Sequence, residues 1–154
     1  MKTGAQLYTI RDYCKDLTSF SESLKKLADI GYKYVQISGT CNYEALWLKE
    51  QLNENGLVCV ITHTVPELIK NETEKVTEEH KIFGCNNIGI GYFDIKNEGA
   101  KGFEEKFFPA AVKIKEAGCY LMYHNHANEF EKINGKTHLA HMAELFPADI
   151  LGFT

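Results

Sequence analysis

The feature that most constrains this chain is a repeated switch between two hydrophobic periods. Short runs rich in Val, Ile, Tyr and Thr read as strands: Ala5 to Ile10, Tyr34 to Ile37, Leu57 to Thr62, Asn87 to Ile90, Cys119 to Tyr123 and Asp149 to Phe153. Amphipathic helical runs lie between them. Phe20, Leu24, Leu27 and Ala28 stand at i, i+4, i+7 and i+8, opened by a Ser19/Glu22 capping box and stopped at Gly31. A second helix is expected from Tyr43 to Asn55 behind an Asn42 cap, with Tyr43, Leu46 and Trp47 on its buried face. A third runs from Thr73 to Phe83 with a thinner apolar stripe. A fourth places Phe103, Phe107, Ala110, Ala111 and Ile114 on one face before Gly118, and a fifth spans His138 to Phe146.

Strands that alternate with helices of this length run parallel, because a helical crossover returns the chain to the starting end of the sheet. A doubly wound sheet would carry a Gly-rich phosphate loop after its first strand. Tyr8-Thr9-Ile10-Arg11-Asp12 is no such loop, and Gly89-Ile90-Gly91 lacks both a final Gly and a helix directly behind it. The pattern therefore predicts an α/β fold of the (β/α) TIM-barrel type, one domain over 1–154, with chemistry gathered at the carboxyl ends of its strands. A closed barrel of this kind takes about 250 residues. The 154 residues thus read as five βα units plus a sixth strand of a truncated barrel. Unpaired edges on the first and sixth strands predict a homo-oligomer joined through them.

Composition limits the partners. A net charge of -4 lacks the basic excess of a phosphate-backbone binder, which argues against nucleic acid and for a small-molecule partner. No window approaches the ~18 apolar residues of a membrane span, and the first residues hold no signal-like apolar region, so neither membrane nor export is expected. Five widely spaced cysteines, Cys14, Cys41, Cys59, Cys85 and Cys119, contain no C-x-x-C pair and read as free thiols in a reducing cytoplasm.

The residues suited to chemistry concentrate after the fifth strand, in Tyr123-His124-Asn125-His126-Ala127-Asn128-Glu129-Phe130. Alternation along a strand would aim His124 and His126 the same way, about 7 Å apart. Two imidazoles so placed can flank a metal, Asn125 can bond ligand hydroxyls, and Glu129 offers a carboxylate for metal ligation or proton transfer. The bland alternative is a pair of satisfied histidines capping a strand. His63 ends the third strand beside Cys59 and Ile61 on its face, suited to contacting a substrate oxygen, donating a proton, or simply capping a loop. Gln6 with Tyr8, and Gln36 with Ser38, share faces of the first two strands as uncharged hydrogen-bonding groups for hydroxyl recognition. His80, His138 and His141 fall on solvent-facing or mixed helix stripes, where ligand roles are not expected. Lys70 to Lys81 reads as a solvated helix face.

Gln6-Leu7-Tyr8-Thr9-Ile10-Arg11-Asp12, Phe20-Ser21-Glu22-Ser23-Leu24 and Asp29-Ile30-Gly31-Tyr32 resemble the start of sugar phosphate isomerase/epimerase proteins of the xylose-isomerase-like barrel superfamily. Gly56-Leu57-Val58 before Thr62-His63-Thr64, and Tyr123-His124-Asn125-His126 followed by Glu129-Phe130, are similar to the same family. The resemblance implies a divalent metal (Mn, Mg, Co or Zn), weakly held or absent in this chain, and isomerisation or epimerisation of a sugar or sugar phosphate through an enediolate. By that resemblance His124, Glu129 and His63 are the catalytic candidates and Gln6, Tyr8, Gln36, Asn125 and His126 the substrate contacts. His124 and Glu129 are also the metal candidates. The chain departs from the family in carrying His124 where relatives often place a metal-binding Glu, and Gln36 where they often carry an acid. A non-catalytic carbohydrate-binding or assembly module and a metal-dependent hydrolase are the competing readings.

Overall fold

The computed structural model describes residues 3–154, so the first two residues of the expected domain lie outside the described residues. Strands β1 (Gly4–Gln6), β2 (Tyr34–Ile37), β3 (Val58–His63), β4 (Asn87–Ile90), β5 (Tyr120–Tyr123) and β8 (Leu151–Phe153) form one six-stranded sheet in that order. The pairs β1/β2, β2/β3 and β5/β8 are parallel, as expected for strands joined by helical crossovers. Contacts divide the chain into two compact units: the chain up to His63 with Glu78–Asn87, and Thr64–Thr77 with Ile88–Thr154.

The first unit is built on β1, β2 and β3 with α1 (Leu17–Ile30) and α2 (Ala45–Glu54). Phe20, Leu24 and Leu27 of α1 and Leu48 and Leu52 of α2 are buried with Val35, Ile37 and Cys59 of the strands. The apolar stripe expected for α1 is therefore its core face, but its cap lies one turn earlier. Asp16 Oδ1 accepts from the Ser19 amide at 2.9 Å and Ser19 Oγ accepts from the Asp16 amide at 3.3 Å, so the capping box is Asp16/Ser19 and not Ser19/Glu22. Helix α2 starts behind Glu44, which makes no side-chain cap, and not behind Asn42. Tyr43 and Trp47 pack half-buried on the core while Leu46 stays exposed, against the expected stripe.

The first strand is the largest departure. It ends at Gln6, and Leu7–Tyr13 turns into a 3-10 segment, so Gln6 and Tyr8 do not share a strand face. The reason lies at Gly39, just beyond β2, whose φ of +67° places it in the left-handed region. A side chain there would stand 2.8 Å from the Tyr8 ring and 3.2 Å from Arg11 Cβ. The Gly39 backbone is thus packed directly against the Tyr8 and Arg11 side chains of the 3-10 segment, a contact that an extended Ala5 to Ile10 strand would not provide.

The second unit holds β4, β5 and β8 with α3 (Pro66–Asn71), α4 (Thr73–Ile82, divided between the units at Thr77), α5 (Ile95–Glu116) and α6 (His138–Leu145). Phe103, Phe107, Ala110, Ala111 and Ile114 of α5 are buried along the predicted face. Phe103 is the hub, with ring centroids of Phe107, Tyr123, Phe93 and Phe146 at 4.8, 5.0, 5.2 and 5.6 Å. Helix α5 begins at Ile95, two turns before that face, with a break at Gly99. The unexpected α3 opens on Pro66 at its first turn, where the missing N–H costs nothing. A hairpin of β6 (Lys132–Ile133) and β7 (Lys136–Thr137) turns on Asn134-Gly135, both at positive φ, the chemistry of a tight two-residue turn.

Burial corrects the reading of the helix histidines. His80 and His138 are 4% and 3% exposed, not solvent-facing. His80 Nε2 stands 2.8 Å from Thr62 Oγ1 of β3, a contact that makes a histidine tolerable in a core. No helix among the described residues is long and apolar enough to cross a membrane, and all five cysteines are free thiols.

Replacing Phe103 by Ala removes the ring on which four others rest. It should destabilise the protein by about 3–5 kcal/mol, read as a lower midpoint in denaturant unfolding. A change below 1 kcal/mol would contradict its central place in the second unit.

Candidate functional site

The second unit carries the densest group of chemically capable side chains. Strand β5 stops at Tyr123, so His124 and His126 stand on the following segment and not in a strand register. Their rings meet edge to face with centroids 4.9 Å apart, closer than the spacing that strand alternation predicts. Three successive backbone amides hold this segment. His124 N–H donates to Ile90 O at 3.0 Å, Asn125 N–H to Thr154 O at 3.2 Å, and His126 N–H to Glu129 Oε2 at 2.7 Å. Such a run of satisfied donors makes a defined turn out of residues that carry no regular structure.

The electrostatics follow from this packing. Burial, and then the neighbouring His126, push the His124 imidazole below its ordinary value of 6.5, while the Glu129 charge works the other way. His124 is therefore neutral at pH 7, with its Nδ1 3.3 Å from Thr154 Oγ1. Burial also pushes the Glu129 carboxyl up, but hydrogen bonds from the Tyr123 hydroxyl and the His126 amide outweigh it and leave the group below the usual carboxylate range. Tyr123 is pushed far up by its own burial and by donating to Glu129, and stays a neutral phenol.

In the first unit, Gln36 and His63 are brought together. A bulge between Val35 and Gln36 sets Val35 opposite Cys59 but Gln36 opposite Ile61, which re-aims the end of β2. The Gln36 side-chain amide then reaches His63 Nε2 at 2.6 Å. Gln6 lies opposite Gln36 in the β1/β2 register. Tyr8 stands off the strand, 52% exposed, with the Arg11 guanidinium 4.6 Å over its ring. Ser38, 2% exposed, carries a buried hydroxyl with no hydrogen-bond partner among the described residues, a position that a ligand or water would satisfy.

The metal that the family resemblance implies does not fit these residues. Glu129 is 1% exposed and both its oxygens are engaged, Oε1 by the Tyr123 hydroxyl at 2.6 Å and Oε2 by the His126 amide. Among the described residues no three His, Cys, Asp or Glu side chains are grouped so as to hold a metal ion.

Sequence reasoning passed over Tyr92, which follows β4. Its ring is 59% exposed and stands T-shaped to His126 at 6.2 Å, extending the imidazole pair into an aromatic surface. The only signal for it was position, two residues beyond a strand end.

No protein-family profile and no curated protein matches this chain. Solved structures do. A sugar phosphate isomerase/epimerase from Parabacteroides distasonis superposes with a TM-score of 0.80 at 20% identity, over 99% of this chain and 64% of that one. A second crystal structure of a sugar phosphate isomerase/epimerase from that organism gives 0.76 at 19% identity, over 99% and 67%. A xylose isomerase-like TIM barrel protein from Mycobacterium smegmatis, in complex with magnesium, gives 0.62 at 11% identity, over 99% and 63%. This chain thus has the fold of xylose isomerase-like TIM barrel proteins and spans 64% of the length of the first of these relatives.

Proposed function

We propose that this chain acts in isomerisation or epimerisation of a sugar or sugar phosphate, with His124 and His126 moving the proton next to the substrate carbonyl through an enediolate. The supporting observation is the imidazole pair held just beyond β5, in a fold shared with solved sugar phosphate isomerase/epimerase structures. A neutral His124 can accept a proton at pH 7. Asn125 and the Tyr92 ring are the substrate contacts of the second unit. The first unit, taken by itself, carries uncharged hydrogen-bonding groups suited to hydroxyls in Gln6, Gln36, Ser38, His63 and Tyr8. No step is assigned to a metal, because among the described residues no three His, Cys, Asp or Glu side chains are grouped to hold one.

The direct test is incubation with a panel of aldoses, ketoses and their phosphates in D2O, with and without divalent cations, following deuterium entry beside the carbonyl by NMR. The proposal expects exchange with at least one member, reduced roughly 10²- to 10⁴-fold in His124→Gln. Saturable sugar binding without exchange favours the carbohydrate-binding alternative, to which the exposed Tyr92 ring is equally suited.

The pH dependence has a definite sign. A histidine whose proton affinity is lowered by folding binds fewer protons in the folded than in the unfolded state, so its contribution to stability is lost as pH falls below about 6.5. Unfolding free energy measured between pH 7.5 and 5 should fall less steeply in His124→Gln than in the parent. An equal slope in the two proteins would remove His124 from the account.

Strands β1 and β8 are the end strands of the sheet order, and we keep self-association of the 154-residue chain through them as part of the proposal. Light scattering should show a dimer or larger species, whereas a monomer with exchange-protected β1 amides would contradict it.

A further inference from the structure

Glu129 was the carboxylate that the sequence offered for metal ligation or proton transfer, yet its surroundings point to another task. It sits on a 3-10 turn, Asn128–Phe130, and is the buried residue of that turn. Oε1 accepts from the hydroxyl of Tyr123, the last residue of β5, and Oε2 accepts from the backbone N–H of His126. Tyr123 is itself fully buried and packs edge-on against Phe103 at 5.0 Å. The carboxylate therefore ties a core-anchored side chain to the amide of the second histidine. It closes a ring of contacts around the segment that carries both imidazoles.

We propose that Glu129 is a positioning residue, which fixes the His126 backbone and so sets the edge-to-face geometry of His124 and His126, and that it neither ligates a metal nor transfers a proton. Three features carry this. The group is 1% exposed, so neither substrate nor cation reaches its oxygens without opening the turn. Both its partners are donors that favour the charged carboxylate, which suits a fixed anion and not a group that must gain and lose a proton. The His126 amide has no other acceptor in the segment, whereas the amides of His124 and Asn125 are held by Ile90 O and Thr154 O. Without Glu129 the middle of the turn loses its anchor while its first two residues keep theirs. The relevance of this to catalysis rests on the proposed proton transfer by the imidazole pair; the structural assignment does not.

The test is NMR on the full chain. In Glu129→Gln, amide exchange at His126 should quicken roughly 10- to 100-fold, as expected for a lost hydrogen bond to a charged group, while the amides of β5 keep their rates. The ring resonances of His124 and His126 should move together, since their edge-to-face contact is no longer held by the Glu129 anchor. Unchanged exchange at His126, or unmoved His124 and His126 ring resonances, overturns the proposal. Tyr123→Phe provides a milder second variant, expected to quicken His126 exchange less. In the unmodified protein, adding Zn2+ alone should leave the Glu129 carboxyl carbon resonance in place, and a Zn2+-dependent displacement overturns the proposal whether or not the variants fold. If sugars show no deuterium exchange with the unmodified protein, the proposed function fails while these readouts still decide the role of Glu129.

Discussion

A parallel strand can pair with its neighbour only if the chain returns to the end from which it started, and in this protein the constraint shapes everything else. Each return needs a stretch long enough to cross back and apolar enough to cover the sheet, which is why strand and helix periods alternate. The helices α1 and α5 satisfy both demands, with Phe20, Leu24 and Leu27 in one unit and Phe103, Phe107 and Ile114 in the other. The same constraint leaves the segments beyond the strand ends without covering duty. They are free to carry polar groups, and there Ser38, His124 and His126 are found, next to Gln36 and His63 on the last residues of β2 and β3.

Those polar groups are not loose. Where a strand stops, its next amides lose the ladder and must find other acceptors. After β5 they find Ile90 O, Thr154 O and the Glu129 carboxylate, so two imidazoles stand at a fixed angle on a segment with no regular structure. Within β2 a bulge between Val35 and Gln36 re-aims Gln36 onto His63. Both devices use ordinary backbone bonding to orient side chains suited to hydroxyl and proton chemistry. The low identity to solved sugar phosphate isomerase/epimerase structures carries the architecture across, while the chemistry assigned here rests on these local arrangements.

How much was legible in the residues depended on whether a signal was periodic or pairwise. The stripe of α5 and the limits of β2 and β4 follow from hydrophobic period and were read correctly. The first strand was read too long because Leu7, Tyr8 and Ile10 have strand-like side chains, while the turn over Gly39 is set by a contact some thirty residues away in sequence that no local pattern encodes. His80 looked solvent-facing because its helix is highly charged; its contact with Thr62, on a different element, helps to make its burial tolerable. The candidate histidines were found because they cluster at a strand end. The role of Glu129 was not legible, since spacing identifies a carboxylate but not which donors already occupy its lone pairs.

The central claim, that the imidazole pair beyond β5 meets the reacting part of a sugar, is tested most directly by titrating the protein with a sugar hydroxamate, a stable mimic of an enediolate, and following the ring resonances of His124 and His126. The account predicts that both sets of ring signals shift together and saturate at a common ligand concentration, with Tyr92 moving in parallel. Ring signals that stay still while the hydroxamate binds elsewhere on the protein would contradict it.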